Sequence, residues 1–449
     1  MSEDVVVVGG GLAGIAAALA CADAGRAVTL LESKPRLGGL TYSFRRGELD
    51  VDNGQHVFLR CCTAYRALLE RLGVTDLTVL QDRLDIPVRS TADGRSTRLR
   101  RVPLPSPLHL GPSLLGYRLL TPTRRRSAIR AALALKRVDR ADPASDARTF
   151  GAWLREHGQD DRTVEALWDL VVTATLNARA DQASLALAAM VFQVGLLGQA
   201  NAGDVGWSRV PLQRLHGEAA HDSLARAGVR VLPGTRATRL EHDGRRWLVG
   251  MAVEHHAADR VIVAVPAAAA EALLPAAAVT ASPGWAARLG TSPIVNVHIV
   301  LTEPILTEPF LAAVGSPVQW VFDRTESSGL AHGQYLALSV SAADAYIDEP
   351  VARLREVFLP ELARLLPGLN DVKVLDFFVT REREATFRPA PGQAALRASA
   401  ETGLPGLYLA GAWTDTGWPA TMEGAVRSGN TAARAALGHA VTREEEAVL

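Results

Sequence analysis

The sequence contains few cysteines and few aromatic residues, and it carries no net charge. Three cysteines occur in 449 residues, and an odd number with two adjacent (Cys21, Cys61 and Cys62) supports neither a disulfide framework nor a zinc site. This cysteine content favours a reducing cytoplasm. The 48 basic residues equal the 48 acidic ones, which disfavours a nucleic-acid-binding protein because such proteins usually have a basic excess.

Long uncharged stretches occur twice, but neither has the character of a membrane span. Residues 5–22 follow an acidic start and contain three consecutive glycines, whereas a signal peptide begins with positive charge. Residues 182–203 contain Gln193, Gln199 and Asn201, whose polar groups are costly in hydrocarbon. We predict a strand, a turn and a helix for the first stretch, and for the second a buried helix near an apolar cavity.

Glycine is concentrated near the start of the chain, between a strand pattern and a helix pattern. The β-branched run at residues 5–8 is typical of a central parallel strand. Gly9, Gly11 and Gly14 follow in a G-x-G-x-x-G motif and precede a predicted helix over residues 15–24. In a dinucleotide site such glycines permit a tight turn, the approach of a pyrophosphate and close helix packing, and the N-terminus of the helix faces the phosphates.

An acidic residue ends the second predicted strand, which covers residues 28–31. Glu32 lies 18 residues beyond the third glycine, close to the spacing of about 20 in dinucleotide-binding folds. Its carboxylate can accept hydrogen bonds from a ribose diol. Strand, glycines, helix, strand and acid occur in order, so the sequence predicts a dinucleotide site and not a chance glycine-rich turn.

The residues after this acid show which dinucleotide is expected. They fit E-x-x-x-R-x-G-G, with Arg36, Gly38 and Gly39 at its fixed positions. This pattern resembles the extended fingerprint of the amine oxidase and phytoene desaturase flavoproteins, in which the second glycine pair lets the chain pass close to FAD. The resemblance implies non-covalent FAD. The cofactor-binding residues that it implies in this segment are Gly9, Gly11, Leu12, Ala13, Gly14, Glu32, Ser33, Arg36, Gly38 and Gly39.

Two further segments narrow the resemblance. Residues 52–56 (DNGQH) and 413–429 (WTDTGWPATMEGAVRSG) resemble the hydroxysqualene dehydroxylase family, the squalene-associated members of this flavoprotein superfamily. In the superfamily the C-terminal helix, predicted here from about Thr421, points its N-terminus at the flavin ring and stabilises negative charge on the reduced ring. The resemblance implies further cofactor contacts at Ala237, Gly411, Trp418 and Met422.

The same resemblance implies an α/β fold with two domains. A discontinuous Rossmann-like FAD-binding domain is combined with an α+β substrate domain, as in amine oxidase-like flavoproteins. We expect the FAD-binding domain over residues 1–85, 205–270 and 385–449, and the substrate domain over residues 86–204 and 271–384. The tail at residues 443–449 is expected to fray.

The resemblance also implies a reaction in squalene or hopanoid biosynthesis. Hydroxysqualene would lose its allylic hydroxyl as water, and hydride from reduced flavin would quench the allylic cation and give squalene. His56 is the first candidate proton donor because the usual pKa of histidine suits neutral pH. Asp415 and Glu423 are weaker candidates. The alternative for His56 is a structural, hydrogen-bonded histidine, and the reductant of the flavin stays unknown.

An apolar stretch precedes a basic one between residues 104 and 140. Residues 104–120 are apolar and contain three prolines, and residues 121–140 carry seven basic residues and one acidic residue, a net charge of +6. This arrangement suits an anionic membrane surface, where an apolar isoprenoid substrate resides. A solvated helix face beside a loop is the alternative. We expect a cytoplasmic protein that binds peripherally to the inner face of the cell membrane if the first interpretation is right.

Other functions remain open at this point. A phytoene-type polyene desaturase or an amine oxidase would move hydride in the opposite direction, although an amine oxidase would need an aromatic pair beside the flavin, of which Trp418 supplies one member. A non-enzyme alternative is a flavin-free prenyl-lipid-binding relative, similar to the Rab GDP-dissociation inhibitors. Leu40 and Ala412, where the family usually has Arg and an acid, favour this alternative slightly. The intact phosphate turn with Glu32 and Arg36 opposes it.

Overall fold

The computed structural model describes residues 4–438, and the tail expected to fray lies outside them. The strands are β1 (Asp4–Val8), β2 (Ala27–Glu32), β3 (Ser43–Arg46), β4 (Leu49–Asp52), β5 (Val57–Leu59), β6 (Thr78–Leu80), β7 (Asp85–Ser90), β8 (Ser96–Arg100), β9 (Val205–Ser208), β10 (Arg230–Pro233), β11 (Arg239–His242), β12 (Trp247–Gly250), β13 (His255–Ala258), β14 (Arg260–Val263), β15 (Thr291–Leu301), β16 (Phe310–Val314), β17 (Trp320–Asp323), β18 (Gln334–Val340), β19 (Val374–Phe387) and β20 (Leu407–Leu409).

The helices alternate with these strands and are concentrated between β8 and β9. The α-helices are α1 (Leu12–Asp23), α2 (Thr63–Leu72), α3 (Gly111–Leu115), α4 (Pro122–Leu135), α5 (Pro143–Asp146), α6 (Phe150–Glu156), α7 (Asp161–Thr163), α8 (Asp169–Leu176), α9 (Leu185–Phe192), α10 (Ala219–Arg226), α11 (Ala267–Leu273), α12 (Trp285–Leu289), α13 (Thr325–Ser328), α14 (Val351–Leu365) and α15 (Met422–Ala436). The π-helical segments are Val164–Trp168, Gln193–Gly198 and Gln213–Glu218.

A five-stranded parallel sheet forms the base of the nucleotide-binding region, with the strand order β10-β2-β1-β14-β20. Alternate valines of β1 pack on opposite sides of it, because successive side chains of a strand point to opposite faces. Val5 and Val7 pack with α1 and α15, whereas Val6 and Val8 pack with Trp247. The predicted strands at the start of the chain are confirmed, as is the α/β class.

The first and last helices cross closely on one face of this sheet. Gly429 on α15 makes the approach possible, because an added Cβ would lie 2.1 Å from the carbonyl oxygen of Ala13 on α1. α1 begins at Leu12, three residues before the predicted start. The C-terminal helix therefore lies directly beside the helix that follows the glycine motif, although Ala13 and Gly429 are 416 residues apart in sequence.

A second, seven-stranded sheet has the order β19-β15-β18-β17-β16-β7-β8 and is antiparallel except between β16 and β7. α14 covers one face of it. This helix has one apolar face, since Leu354, Phe358, Leu362 and Leu365 are fully buried. They pack against alternate residues of β15 in one hydrophobic core.

The region between β8 and β9 is mainly helical. α9 and its π-helical continuation form the buried helix expected over residues 182–203, and Phe192 packs against Phe150 and Trp168. Within residues 4–438, no helix combines the length and the apolar character that crossing a bilayer would require. The domain boundaries given above stay a prediction.

Candidate active site

The turn between β1 and α1 requires glycine at two positions for steric reasons. Gly9 has a φ of +111°, and an added Cβ would lie 2.5 Å from the carbonyl oxygen of Ala264. A Cβ on Gly14 would lie 1.8 Å from the carbonyl oxygen of Gly9. Gly11 is less crowded, since an added Cβ would meet only the Cα of Gly39, at the ordinary contact distance of 3.7 Å. The turn is therefore tightly packed except at Gly11, where the approach of a pyrophosphate needs room.

The N-terminus of α1 is free of competing groups. Gly11 is the N-cap residue and provides no side-chain cap, and the first turn, which includes Leu12 and Ala13, contains no acidic residue. The first N–H groups of a helix have no partner inside the helix, and together with the helix dipole they attract an anion. This helix end fits a phosphate group.

A second glycine pair packs directly on the first motif. Gly38 and Gly39 have positive φ values of +103° and +58°, and a Cβ on Gly39 would lie 2.8 Å from the Cα of Gly11. The N–H of Gly38 donates to the carbonyl of Gly10 at 2.9 Å. Arg36 Nη1 donates to the carbonyl of Gly39 at 3.1 Å. The structure thus brings the two glycine motifs, predicted separately, into one cradle.

Glu32 is buried at the C-terminal end of β2 and faces this cradle. Its Oε2 accepts from the N–H of Gly10 at 2.7 Å, and its Oε1 accepts from the N–H of Lys34 at 2.7 Å and from Ser33 Oγ at 3.2 Å. Ala237 lies near the same end of β2, because the N–H of Thr235 donates to the carbonyl of Glu32. The ribose contact at Glu32 and the adenine contact at Ala237 stay predictions, and the cradle fits a dinucleotide such as FAD.

The turn at residues 52–56 is tied to the second glycine loop through Asn53. Asn53 Nδ2 donates to the carbonyl of Leu40 at 2.8 Å and to Glu382 Oε1 at 3.1 Å. Its Oδ1 accepts from the N–H of Tyr42 at 3.2 Å. Two elements of the seven-stranded sheet also reach this residue, since Thr380 Oγ1 and Asn296 Nδ2 both donate to the carbonyl of Asn53. The turn therefore joins the cradle to the seven-stranded sheet.

Asp52 anchors the same turn from the other side. Its carboxylate accepts from Ser43 Oγ at 2.6 Å, from the N–H of Leu212 at 3.0 Å and from Arg324 Nη2 at 2.7 Å. Both members of the ion pair with Arg324 are buried. These bonds fix the backbone that carries His56.

His56 is half-buried, and its Nδ1 lies 3.0 Å from the carbonyl oxygen of Gly54. Burial lowers the pKa of its imidazole below the usual value, while the Gly54 carbonyl and the charge of Asp52 oppose that shift. The hydrogen bond with Gly54 favours a proton on Nδ1 and fixes the ring. To donate a proton from Nε2, His56 must first be charged, which becomes more frequent as the pH falls.

The other two candidate proton donors have structural contacts. Glu423 is buried, and its carboxylate accepts from the N–H groups of Ala64 and Tyr65 at the start of α2 and from Arg427 Nε at 2.6 Å. Burial raises the pKa of Glu423. Asp415 is exposed on its loop, where its Oδ1 accepts from the N–H of Gly417. Their catalytic roles stay untested, and these contacts favour helix capping for Glu423 and turn formation for Asp415.

The loop that precedes α15 carries the three remaining cofactor candidates. The N–H of Gly411 donates to Ser428 Oγ at 2.8 Å, which holds the end of β20 against α15. Met422 is the first residue of α15, whose N-cap Thr421 accepts from the N–H of Gly424 at 3.1 Å. Trp418 is half-buried and packs against the helical core around Phe192. All three lie on one continuous segment beside α1.

Four buried polar residues of this region were not predicted from the sequence: Asn296, His298, Arg324 and Arg397. The alternation of polar and apolar residues in β15 was a usable signal, because Asn296 and His298 interrupt the apolar run at residues 294–301. The two arginines gave no such signal, since arginine occurs throughout the chain. Asp52, the partner of Arg324, is distant from it in sequence, and the acceptors of Arg397 lie on a loop.

Comparison with known proteins agrees with this geometry. The sequence model of the family described as flavin containing amine oxidoreductase matches residues 12–437. The chain is 28% identical to a hydroxysqualene dehydroxylase of Sinorhizobium fredii, over 98% of this chain and 100% of that protein. It is 30% identical to one of Rhodopseudomonas palustris, over 96% of this chain and 98% of that protein. A 15-cis-phytoene desaturase of Narcissus pseudonarcissus is 26% identical over 96% of this chain and 79% of that protein.

Solved structures share the fold. Cyclohexylamine oxidase of Brevibacterium oxydans matches with a TM-score of 0.73 at 20% identity, over 98% of this chain and 99% of that chain. A putrescine oxidase variant matches with a TM-score of 0.74 at 19% identity, over 97% of this chain and 99% of that chain. The glycine cradle, the position of α15 and the family match over nearly the whole chain agree, and the chain belongs to the flavin-containing amine oxidoreductases, as an FAD-dependent enzyme.

Proposed function

We propose that the protein reduces hydroxysqualene to squalene in squalene or hopanoid biosynthesis. The observation that carries the proposal is the full-length similarity to hydroxysqualene dehydroxylases, which covers both the 52–56 turn and the segment before α15. In the reaction the C–O bond breaks with its electron pair on oxygen, a proton converts the leaving group to water, and a hydride replaces it on carbon. When bound, reduced FAD supplies this hydride.

The protein supplies the proton for the leaving oxygen and keeps water away from the reacting carbon. In this proposal His56 donates from Nε2 to the leaving oxygen while its Nδ1 stays fixed on the Gly54 carbonyl. Burial lowers the pKa of the ring, and the Gly54 carbonyl and the Asp52 charge oppose that shift only in part. The apolar residues Met190, Phe192 and Trp418 belong to or pack against one buried cluster, which suits the polyene chain. A site without bulk water protects the cation from capture by water.

Product analysis tests the reaction. The holoenzyme would be reduced anaerobically and incubated separately with hydroxysqualene and with phytoene, with the oxidised holoenzyme as a parallel sample. We expect squalene to form only in the sample that contains the reduced enzyme and hydroxysqualene. Desaturated products from the oxidised enzyme with phytoene would replace the proposal by the desaturase alternative, and protein that holds no FAD would support the flavin-free alternative.

The His56→Ala variant tests the proton donor. We expect it to retain FAD and to lose single-turnover rate by roughly 10²–10⁴-fold, the usual contribution of a general acid. Because burial lowers the pKa of His56, the wild-type rate should rise as the pH falls below neutrality. A wild-type rate per bound flavin in the variant would assign His56 a structural role.

We also propose that residues 104–140 bind an anionic membrane surface on the cytoplasmic side. Leu104, Leu108 and Leu115 are 44%, 60% and 58% exposed, which is unusual for leucine. On α4, Arg126 and Arg130 are exposed and one helical turn apart. Exposed leucines beside basic residues match a surface that inserts into an interface and contacts lipid phosphates.

The membrane test should use the arginines that are free to contact lipid. Arg124 pairs with Asp160 at 2.7 Å, and Arg125 donates to the carbonyls of Tyr117 and Leu120, so both are engaged within the protein. The double variant Arg126→Ser/Arg130→Ser should weaken co-sedimentation with anionic liposomes, and high salt should do the same. Exposed arginines elsewhere, changed in Arg353→Ser/Arg383→Ser, provide the control. Equal binding by all three proteins would contradict the proposal.

A further inference from the structure

Strand β15 is buried, but its two faces differ in chemistry. Val295, Val297 and Ile299 pack in the core with α14. The opposite face presents Asn296 and His298, and neither is exposed to solvent. Burial of polar side chains costs free energy unless hydrogen bonds compensate it. The partners of each residue therefore show whether it has a purely structural task.

His298 has partners for both ring nitrogens. Its Nδ1 lies 2.6 Å from Tyr335 Oη, its Nε2 lies 2.9 Å from Thr380 Oγ1, and the ring stacks on Phe378. This residue is fully accounted for by the fold. It serves as the internal comparison for its neighbour on the same face.

Asn296 is only half satisfied. Its Nδ2 donates to the carbonyl of Asn53 at 3.2 Å, whereas its Oδ1 is buried and has no hydrogen-bond partner. A carbonyl can only accept, so the amide nitrogen must face Asn53 and the position of Oδ1 is fixed. Thr380 Oγ1 also donates to the same carbonyl at 3.0 Å, so Asn53 does not depend on Asn296. The fold therefore gains little from this buried amide.

The unpartnered oxygen lies beside the candidate proton donor. A Cβ added to Gly54 would lie 3.3 Å from Asn296 Nδ2, 4.0 Å from Asn296 Oδ1 and 3.5 Å from His56 Cε1. The absence of a side chain at Gly54 thus leaves a small space that both residues border. Gln55, the next residue, also has a buried Nε2 without a hydrogen-bond partner. An unpartnered acceptor and the imidazole of His56 therefore border the same space, and Gln55, the neighbour of both Gly54 and His56 in sequence, carries an unpartnered donor.

A hydroxyl group is the ligand that matches this combination, because it donates one hydrogen bond and accepts others. We infer that Asn296 Oδ1 accepts the hydrogen bond of the substrate hydroxyl and so selects a hydroxylated isoprenoid over a hydrocarbon one. The hydroxyl oxygen then keeps its lone pairs for the proton that His56 delivers. This inference rests on the proposed function and adds the residue that recognises the leaving group.

Binding measurements on the oxidised holoenzyme test the inference without turnover. Perturbation of the flavin absorbance or quenching of tryptophan fluorescence would give the Kd of hydroxysqualene, of its O-methyl ether and of squalene in the same detergent. We expect wild type to bind hydroxysqualene roughly 10-fold more tightly than the other two, the value of one net hydrogen bond. The ether cannot donate to Oδ1, so equal binding of ether and alcohol would overturn the inference with wild-type protein alone.

Two variants locate the effect. Asn296→Leu removes an unpartnered acceptor, so it should retain the thermal unfolding temperature while abolishing the preference for the alcohol. Gly54→Ala fills the shared space, at a backbone conformation that alanine tolerates, and should have the same effect on binding. A large fall in unfolding temperature with an unchanged preference would assign Asn296 a structural role and overturn the inference.

Failure of the proposed function gives a different result. If the enzyme forms no squalene, the product analysis fails in wild type, whatever the variants bind. If wild type forms squalene but Asn296→Leu and Gly54→Ala keep the preference for hydroxysqualene, only the inference about Asn296 is overturned. The two hypotheses are therefore tested separately.

Discussion

Two buried arginines hold the two segments that border the candidate active site, and they do so differently. Arg324 and Arg397 are each 8% exposed. Arg324 forms an ion pair with Asp52 in the 52–56 turn, at 2.7 Å. Arg397 Nη2 donates to the backbone carbonyls of Thr414 at 2.5 Å and Trp418 at 2.8 Å in the segment before α15. Further acceptors lie 3.4–3.5 Å from its guanidinium nitrogens: the carbonyls of Ala412 and Trp413 and the hydroxyl of Thr416.

The difference shows two ways of burying a cation. A carboxylate neutralises Arg324 and fixes one point of a turn. The carbonyl dipoles around Arg397 fix a whole loop, but they do not neutralise the charge, and burial lowers the pKa of Arg397 to about 10. Arg397 is still charged at neutral pH. We infer that it is a positioning residue, which shapes the loop that carries Trp418 without contacting the reacting atoms.

The largest effect is expected for Arg397→Met. It leaves several buried carbonyls without a donor, and each such group costs about 1–3 kcal/mol. We expect the free energy of unfolding to fall by about 4–5 kcal/mol and the FAD content to fall with it. Urea unfolding and the flavin-to-protein absorbance ratio measure both. Arg397→Lys keeps the charge but reaches fewer carbonyls, so its free energy of unfolding and FAD content should lie between those of wild type and Arg397→Met. Wild-type values of both quantities in both variants would contradict the role of the loop contacts.

A somewhat smaller effect is expected for Asp52→Asn. The amide can still accept from the Leu212 N–H, but Arg324 then lacks its counter-charge, and removing one member of a buried pair typically costs about 3 kcal/mol or more. A double-mutant cycle with Arg324→Met measures the coupling. We expect an interaction energy of about 1–3 kcal/mol for this pair. Additive effects would show that the Asp52–Arg324 ion pair contributes no coupling energy. The difference drawn above between the burial of Arg324 and that of Arg397 would then have no energetic basis.

The parts of this site that sequence reasoning found are local in sequence. The glycine motif and Glu32 lie within 24 residues, and backbone geometry alone requires Gly9 and Gly14 to be glycine. The arginine anchors were not predictable in this way. Arg324 lies 272 residues from Asp52, and the acceptors of Arg397 are mostly backbone carbonyls, which every residue has. The contacts of Glu423 with α2 were not predicted for the same reason, since its partners there lie 358 and 359 residues away.

Histidine extends the comparison, because a buried histidine can lose its charge where an arginine cannot. Burial lowers the pKa of His216 and of His298 to about 3. Below pH 6.5 these two histidines become protonated in the unfolded chain but stay neutral in the folded protein. The free energy of unfolding therefore falls as the pH falls. Each contributes up to about 1.4 kcal/mol per pH unit between the two pKa values. Urea midpoints measured from pH 7 to pH 5 should fall, and His298→Gln should reduce the slope; an unchanged slope would contradict the neutral buried state of His298.

The smallest effect is expected at Glu423, a buried charge with two kinds of partner. Its carboxylate contacts both the cation of Arg427 and the N–H groups of Ala64 and Tyr65. It therefore combines an ion pair, as at Arg324, with hydrogen bonds to backbone groups, as at Arg397. Glu423→Gln keeps one acceptor oxygen, but the N–H groups of Ala64 and Tyr65 donate to different carboxylate oxygens, so one of them loses its acceptor. Burial already raises the pKa of the acid toward its neutral form. We therefore expect the free energy of unfolding to fall by about 1–3 kcal/mol, the cost of one unsatisfied buried donor. The single-turnover rate per bound flavin should match wild type, and a loss of roughly 10²-fold or more would return Glu423 to the proton-donor role.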